Sequence, residues 1–172
     1  MNPDNGVCCG TAGGAGGELQ PLAPIALSLG LCVGRSPTRA DLTALANAGF
    51  RSIINNRPDG EEGNPMTSAH TEAAARDCGL AYRYIPVEGR NPSEKSVQAL
   101  AAALSTLPRP VYAYCRSGAR SASLWALASV TELTTAEVIG ICAGAGFDVA
   151  WLEAKMDMRR EVLEARDGDG SR

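Results

Sequence analysis

The sequence predicts an α/β domain whose mainly parallel sheet is flanked by helices. Two observations lead there. Short apolar runs alternate with helical periods of about ten residues along the chain, the pattern of βα units. The length, 172 residues with 45% hydrophobic content, is that of a single domain with a core that needs neither disulfide nor metal.

Residues 25–33 (IALSLGLCV) read as one or two strands. Thr38 and Asp41 then have capping-box spacing, with aspartate in place of glutamate. Leu42, Leu45 and Ala46 mark a helix face, and Gly49 stops that helix. Residues 52–55 (SIIN) form a short buried strand, followed by the polar loop NRPDGEEGNP. A helix is predicted from Ser68 to Cys78, with Gly79 as its stop, and a strand over 82–87. Ser93 caps the next helix, where Val97, Leu100, Ala101 and Leu104 fall at i, i+3, i+4 and i+7. A strand at 111–114 leads into a helix at 120–130, and two more helices are expected at 135–145 and 148–165. In the last, Val149, Leu152, Met156 and Leu163 share one side. Trp125 and Trp151 sit in apolar stretches and are expected in the core.

The domain is placed at 19–166. Residues 1–18 are read as a flexible glycine-rich tail and 167–172 (DGDGSR) as a frayed one. A net charge of −3 argues against a nucleic-acid platform. The longest apolar stretch, 19–33, is interrupted by Gln20, Pro21 and Pro24 and is too short for a membrane span. The amino terminus lacks the basic and apolar regions of a secretory signal, so a reducing cytoplasmic setting is expected. Six cysteines, at 8, 9, 32, 78, 115 and 142, match no zinc spacing, and there is one histidine. No metal or other cofactor is expected. Cys8 and Cys9 are read as a feature of the tail, and Cys32, Cys78 and Cys142 as core packing, with Cys78 or Cys142 open as a resolving thiol. His70 is read as a surface histidine.

In open parallel sheets, ligands bind beyond the carboxyl ends of the strands. Three loops leave such ends here, at 56–65, 88–92 and 115–121, so they should share one rim. The strongest chemical signal is on the third, VYAYCRSGARSA at 111–122. Cys115 directly follows a strand, Gly118 lies three residues later, and Arg120 opens a helix. Backbone N–H groups of a tight loop entering a helix point inward and form an anion nest, built here from Arg116, Ser117, Gly118, Ala119 and Ser121. Gly118 permits the positive φ that such a nest uses. The helix terminus and neighbouring arginines favour the Cys115 thiolate, and Arg120 offers paired donors to an oxyanion. The pattern is an activated nucleophile beside an anion receptor. Arg57 is read evenly as an anion contact on the rim or as the partner of Asp59, Glu61 or Glu62 in a solvated loop. Asn55 and Asn56 are read as strand-end turn residues.

C-x-x-G-x-R-S at 115–121 resembles the active loop of the rhodanese sulfurtransferases, whereas C-x-x-G-x-x-R marks the protein tyrosine and dual-specificity phosphatases. IPVEG, followed by a helix and then the Cys115 loop, resembles a dual-specificity phosphatase core. SPTRADLTALANAGFRSIINNRPDGEE resembles the phosphatase-like domain of the bacterial β-lactamase-hydrolase-like proteins, over roughly residues 22–150. That resemblance implies a phosphatase-like fold and either sulfurtransferase or phosphatase chemistry. It also implies an association with a persulfide dioxygenase of metallo-β-lactamase type.

Two departures from the phosphatase pattern favour sulfur transfer. Four residues separate Cys115 from Arg120, where the tyrosine phosphatases use five. Gly89 stands where the resemblance would put the general acid, leaving Asp59 or Glu88 as substitutes. A departing sulfite or thiolate needs no proton, unlike an alkoxide. The expected reaction is therefore transfer of sulfane sulfur from thiosulfate or glutathione persulfide, through a Cys115 persulfide, to a thiol or cyanide. A cysteine-dependent phosphatase is the alternative, and a thiol-based sulfide or redox sensor the non-enzymatic one.

Overall fold

In the computed structural model, residues 21–169 are described, with side chains to 166. The expected tail at 1–18, Cys8 and Cys9, and residues 170–172 lie outside them. Five strands form one sheet: β1 (Ile25–Ser28), β2 (Leu31–Arg35), β3 (Ser52–Asn55), β4 (Ala81–Tyr84) and β5 (Val111–Cys115). The spatial order is β1-β2-β5-β3-β4, parallel throughout except for β1, which pairs antiparallel with β2 at one edge. Gly30, at φ 81°, makes the tight turn that divides residues 25–33 into two strands.

Six helices connect the strands or follow them: α1 (Arg39–Asn47), α2 (Ser68–Asp77), α3 (Glu94–Thr106), α4 (Ala119–Ser129), α5 (Thr135–Gly144) and α6 (Glu153–Asp169). Thr38, Thr67, Ser93 and Thr134 cap α1, α2, α3 and α5 by accepting a backbone N–H of the first turn. Thr38 with Asp41 and Thr134 with Glu137 complete reciprocal capping boxes.

Side chains of β5 alternate between two cores, as the two-residue period of a strand requires. Val111 and Ala113 pack with Leu31, Val33 and Ile54 against α3, α4, α5 and α6. Tyr112 and Tyr114 pack with Cys32 and Ile53 against Leu42 and Leu45 of α1 and Ala74 and Ala75 of α2. The chain therefore crosses from one face to the other around β5. The loop after β3 turns to α2, and the loop after β5 turns to α4 on the opposite face. That divergence opens a crevice at the carboxyl end of β5.

Three elements differ from the sequence reading. The strand expected at 82–87 ends at Tyr84, because Pro86 has no N–H with which to continue the ladder. The segment still runs beside β3, with Ile85 N–H donating to Asn55 O at 2.8 Å and Val87 N–H to Asn56 O at 3.0 Å. The last helix is preceded by a separate 3-10 turn, Ala150–Leu152, after Asp148 Oδ1 accepts the Ala150 N–H. Val149, Leu152 and Met156 are buried as expected, but Trp151 is 44% exposed with Arg90 stacked 5.6 Å from its ring centre. The 3-10 turn rotates Trp151 off the buried stripe. Trp125 is in the core.

A glycine on β2 lets the sheet close over a tyrosine. A Cβ at Gly34 would lie 2.4 Å from the hydroxyl of buried Tyr112, which donates to Arg35 O. Gly34→Ala should lower unfolding stability by about 1–3 kcal/mol through overpacking, and adding Tyr112→Phe should recover part of that loss. Urea unfolding of the single and double variants measures both effects. A Gly34→Ala protein as stable as the parent would contradict the packing described.

Candidate active site

The parallel register sets Arg35 beside Cys115 and Asn55 beside Tyr114. Loops from β2, β3, β4 and β5 thus meet at one rim, the expected three and a fourth at residues 35–38. The β5 loop enters α4 through Gly118, which caps that helix in the left-handed region at φ 95°. Gly118 N–H donates to Cys115 Sγ at 3.1 Å, so the helix terminus points at the sulfur. A Cβ at Gly118 would meet the Gly34 backbone at 3.1 Å and the Phe147 ring at 3.2 Å. Only glycine combines this φ with so close an approach. Cys115 is 1% exposed, at the floor of the crevice.

The residues expected around the nucleophile take different places. Arg116 and Ser117 are exposed on the outer side of the loop, and Ala119 is exposed at the start of α4. The side chain of Ser121 is buried and donates to Asn56 Oδ1 at 2.8 Å, tying α4 to the β3 loop. Asn56 also donates to Ile85 O, and Asn55 accepts the Arg57 N–H at 2.8 Å. The two asparagines are turn residues as read, and they also brace three loops against one another.

Arg57 is no solvated-loop residue. At 3% exposure, it donates through Nη1 to Ser36 Oγ, through Nη2 to Glu62 O and through Nε to Glu61. Ser36 Oγ in turn donates to the carbonyl of Cys115 at 3.0 Å. This chain links the β3 loop, the β2 loop and the nucleophile's own peptide. Nothing in the sequence reading singled out Ser36. Its signal is its place directly after a parallel strand, once β2 extends to Arg35.

The Glu61 carboxylate first, and the Cys115 thiol beside it, raise the pKa of the Arg120 guanidinium above its ordinary value. That guanidinium grips Glu61 with two donors, Nη1 to Oε1 at 2.5 Å and Nη2 to Oε2 at 2.8 Å, while Nη1 also donates to Val87 O at 2.9 Å. Glu61 is therefore the carboxylate of the site. In the sequence it was one of three acidic candidates to pair with Arg57, and only the fold shows that it also takes Arg120. The hydrogen bonds from Arg120 hold its carboxyl below the usual carboxylate range against the opposing effect of burial, and Arg57 adds to them.

The two carboxylates expected as substitute acids are elsewhere. Asp59 is on the same rim, but its carboxylate accepts Ser68 N–H at 2.7 Å and Ser68 Oγ at 2.5 Å, at the start of α2. Glu88 is exposed. His70 is an exposed residue bonded to Thr67 Oγ1, its ring nitrogen 3.1 Å away. Cys32 and Cys142 are buried, and burial pushes the Cys142 thiol up to about 11, which keeps it protonated at neutral pH. Beside the loop lies a cavity of about 260 Å³, lined by Arg35, Ser36, Thr38, Arg57, Glu62 and Arg116 among others. Among the described residues, no group of histidine, cysteine, aspartate and glutamate could hold a metal ion.

A cysteine at the end of a central parallel strand, the N–H of Gly118 on its sulfur and an arginine on the first turn of the next helix define a cysteine-dependent enzyme of phosphatase-like fold. The family model of the beta-lactamase hydrolase-like protein, phosphatase-like domain, matches residues 26–132. The chain belongs to that family. It is 39% identical over 129 residues to a beta-lactamase hydrolase-like protein of Xylella fastidiosa (strain 9a5c), covering 72% of this chain and 30% of that protein. The chain thus spans about a third of the length of the curated relatives it matches. The crystal structure of a putative phosphatase from Neisseria meningitidis Z2491 superposes with TM-score 0.69 at 27% identity, over 79% of this chain and 97% of that one. Kinase-associated phosphatase, with serine in place of its catalytic-site cysteine, superposes with TM-score 0.64 at 18% identity, over 90% and 99% of the two chains. These likenesses establish a single α/β domain of the tyrosine and dual-specificity phosphatase kind. No helix among the described residues is long and apolar enough to cross a membrane.

The ion pairs of Glu61 predict a pH dependence. A carboxyl whose folded pKa is depressed contributes stability that is present above its unfolded value, about 4.3, and lost as pH falls through the folded value. The excess stability of the parent over Glu61→Gln should therefore hold steady from neutral pH to about 5 and shrink below about 4.3. Denaturant midpoints across this range test it. A difference that grows on acidification would contradict the ionised pairing.

Proposed function

We propose that the chain transfers sulfane sulfur through a persulfide on Cys115. The observation that carries this reading is the disposition of the carboxylates. Glu61 is held ionised by two arginines, Asp59 accepts two hydrogen bonds at α2, and Glu88 is exposed. None is placed as a protonated donor for a departing alkoxide, a contribution typically worth 10²–10⁴-fold in rate. The spacing of four residues between Cys115 and Arg120 supports the same reading. Three oxygens of a phosphoryl group need several N–H donors at about 2.7–3.2 Å, whereas a terminal persulfide presents one atom.

The Cys115 thiolate attacks the outer sulfur of the donor. The Cys115 S–S bond forms as the donor's S–S bond breaks, and sulfite or a thiolate departs with the bonding pair. Gly118 N–H donates to Cys115 Sγ, which carries the charge before the attack, and afterwards the charge rests on the outer sulfur. Attack by cyanide or a thiol on this outer sulfur releases thiocyanate or a new persulfide and restores the Cys115 thiolate. Thiosulfate and glutathione persulfide are the proposed donors. A persulfide dioxygenase of metallo-β-lactamase type is the proposed consumer of the product.

Phosphomonoester hydrolysis through a phosphocysteine is the second reading. The comparisons favour it, because the family and its structural neighbours carry phosphatase names. One assay set separates the two: thiosulfate-to-cyanide and persulfide-to-cyanide transfer beside hydrolysis of aryl and alkyl phosphates. The parent should transfer sulfur and hydrolyse alkyl phosphates poorly, and Cys115→Ser should do neither. One glycine inserted after Gly118 should reduce transfer by moving several donors at once. Phosphatase efficiency of about 10⁴ M⁻¹s⁻¹ or more, with no sulfur transfer from any donor, would reverse the ranking.

A further inference from the structure

The two inward-held cations of the rim, Arg57 and Arg120, are already paired from within. Glu61 accepts both outer nitrogens of Arg120 and the Nε of Arg57. The other donors of Arg57 go to Ser36 Oγ and Glu62 O, and Arg120 also donates to Val87 O. With Cys115 as thiolate, two guanidiniums, one carboxylate and one sulfur anion sum to zero. An incoming anion must therefore share Arg120 with a carboxylate. Glu61 is well placed to be met by that anion: its side chain is 32% exposed, on a loop that turns at Gly60 and Gly63, both with positive φ.

We propose that Glu61 is a charge filter, a specificity-determining residue that disfavours dianionic oxyanions relative to anions with a single charge. The discrimination is Coulombic. Repulsion from the carboxylate scales with the charge of the arriving anion, while the net field of a neutral cluster offers a dianion nothing in return. Without the Glu61 charge, the cluster carries one positive charge, from which a dianion gains twice what a monoanion gains. At the effective dielectric of a partly exposed site, one extra unit of charge a few ångströms away changes affinity by about tenfold or more. The filter is independent of the reaction performed, so it goes beyond the sulfur-transfer reading and survives if that reading fails; within that reading it ranks glutathione persulfide, with one charge at its reacting end, above dianionic thiosulfate.

The test is a calorimetric titration of the full chain with sodium sulfate and with sodium thiocyanate, at neutral pH and fixed ionic strength. The proteins are the parent, Glu61→Gln and Glu61→Asp. Glu61→Gln should bind thiocyanate about tenfold and sulfate about a hundredfold tighter than the parent does, the dianion's factor being the square of the monoanion's. Glu61→Asp, which keeps the charge, should stay within about threefold of the parent for both anions. Near-ultraviolet circular dichroism checks the fold, and Glu61→Ser is read in the same way if the glutamine variant does not fold. Equal changes for both anions would mean that Glu61 merely positions Arg120, and would overturn the proposal. Sulfate binding that is unchanged, weaker or undetectable in Glu61→Gln would overturn it too.

Discussion

The contact between Gly118 and Gly34 governs the position of everything else at the site. A Cβ on Gly118 would come within 3.1 Å of the Gly34 backbone, so α4 starts this close to β2 because Gly118 lacks a side chain. That start turns the Gly118 N–H onto Cys115 and sets Arg120 on the first turn, facing the loop that carries Glu61. The left-handed Gly118 also reverses the chain within three residues of the strand end and brings its own N–H onto the sulfur. A larger residue at Gly118 would displace Cys115 and Arg120 together.

A second constraint is that the rim is made of loops, which need bracing to hold a geometry. Buried polar groups supply it. Asn56 joins the β3 loop to the β4 extension and to Ser121 of α4, and Arg57 joins it to Ser36 and so to the carbonyl of Cys115. Each of these groups is buried, and an unpaired buried donor or acceptor costs about 1–3 kcal/mol. Loss of one partner thus penalises several loops at once. The residues that set the place of Cys115 thus also hold the sheet's carboxyl edge together.

The sheet, the order of helices and the Cys115 loop were legible in the sequence because each has a local cause. Apolar runs bounded by glycine mark the strands, hydroxyl and acidic caps mark the helix starts, and C-x-x-G-x-R is contiguous. What was not legible depended on non-local geometry. Glu61 differs from Asp59 and Glu62 only in the direction its backbone gives it between two glycine turns, and that direction delivers it to Arg120, 59 residues away in sequence. Ser36 gains its role from a register between β2 and β5 that no local pattern encodes. Trp151 was read as core from spacing alone, but the 3-10 turn breaks the helical phase and leaves the ring under Arg90. The phosphatase-like class follows from the fold and the family. The choice between sulfur and phosphorus chemistry rests instead on loop length and on where the carboxylates of the rim are held.

The most direct test of that choice is the mass of the peptide that carries Cys115, measured after brief incubation of the protein with a sulfane-sulfur donor and, separately, with an aryl phosphate, each followed by rapid alkylation. The account predicts a gain of one sulfur atom on that peptide with the donor, removed by cyanide, and no phosphoryl group with the phosphate ester. A phosphoryl adduct on Cys115, with no sulfur adduct from thiosulfate or glutathione persulfide, would contradict it.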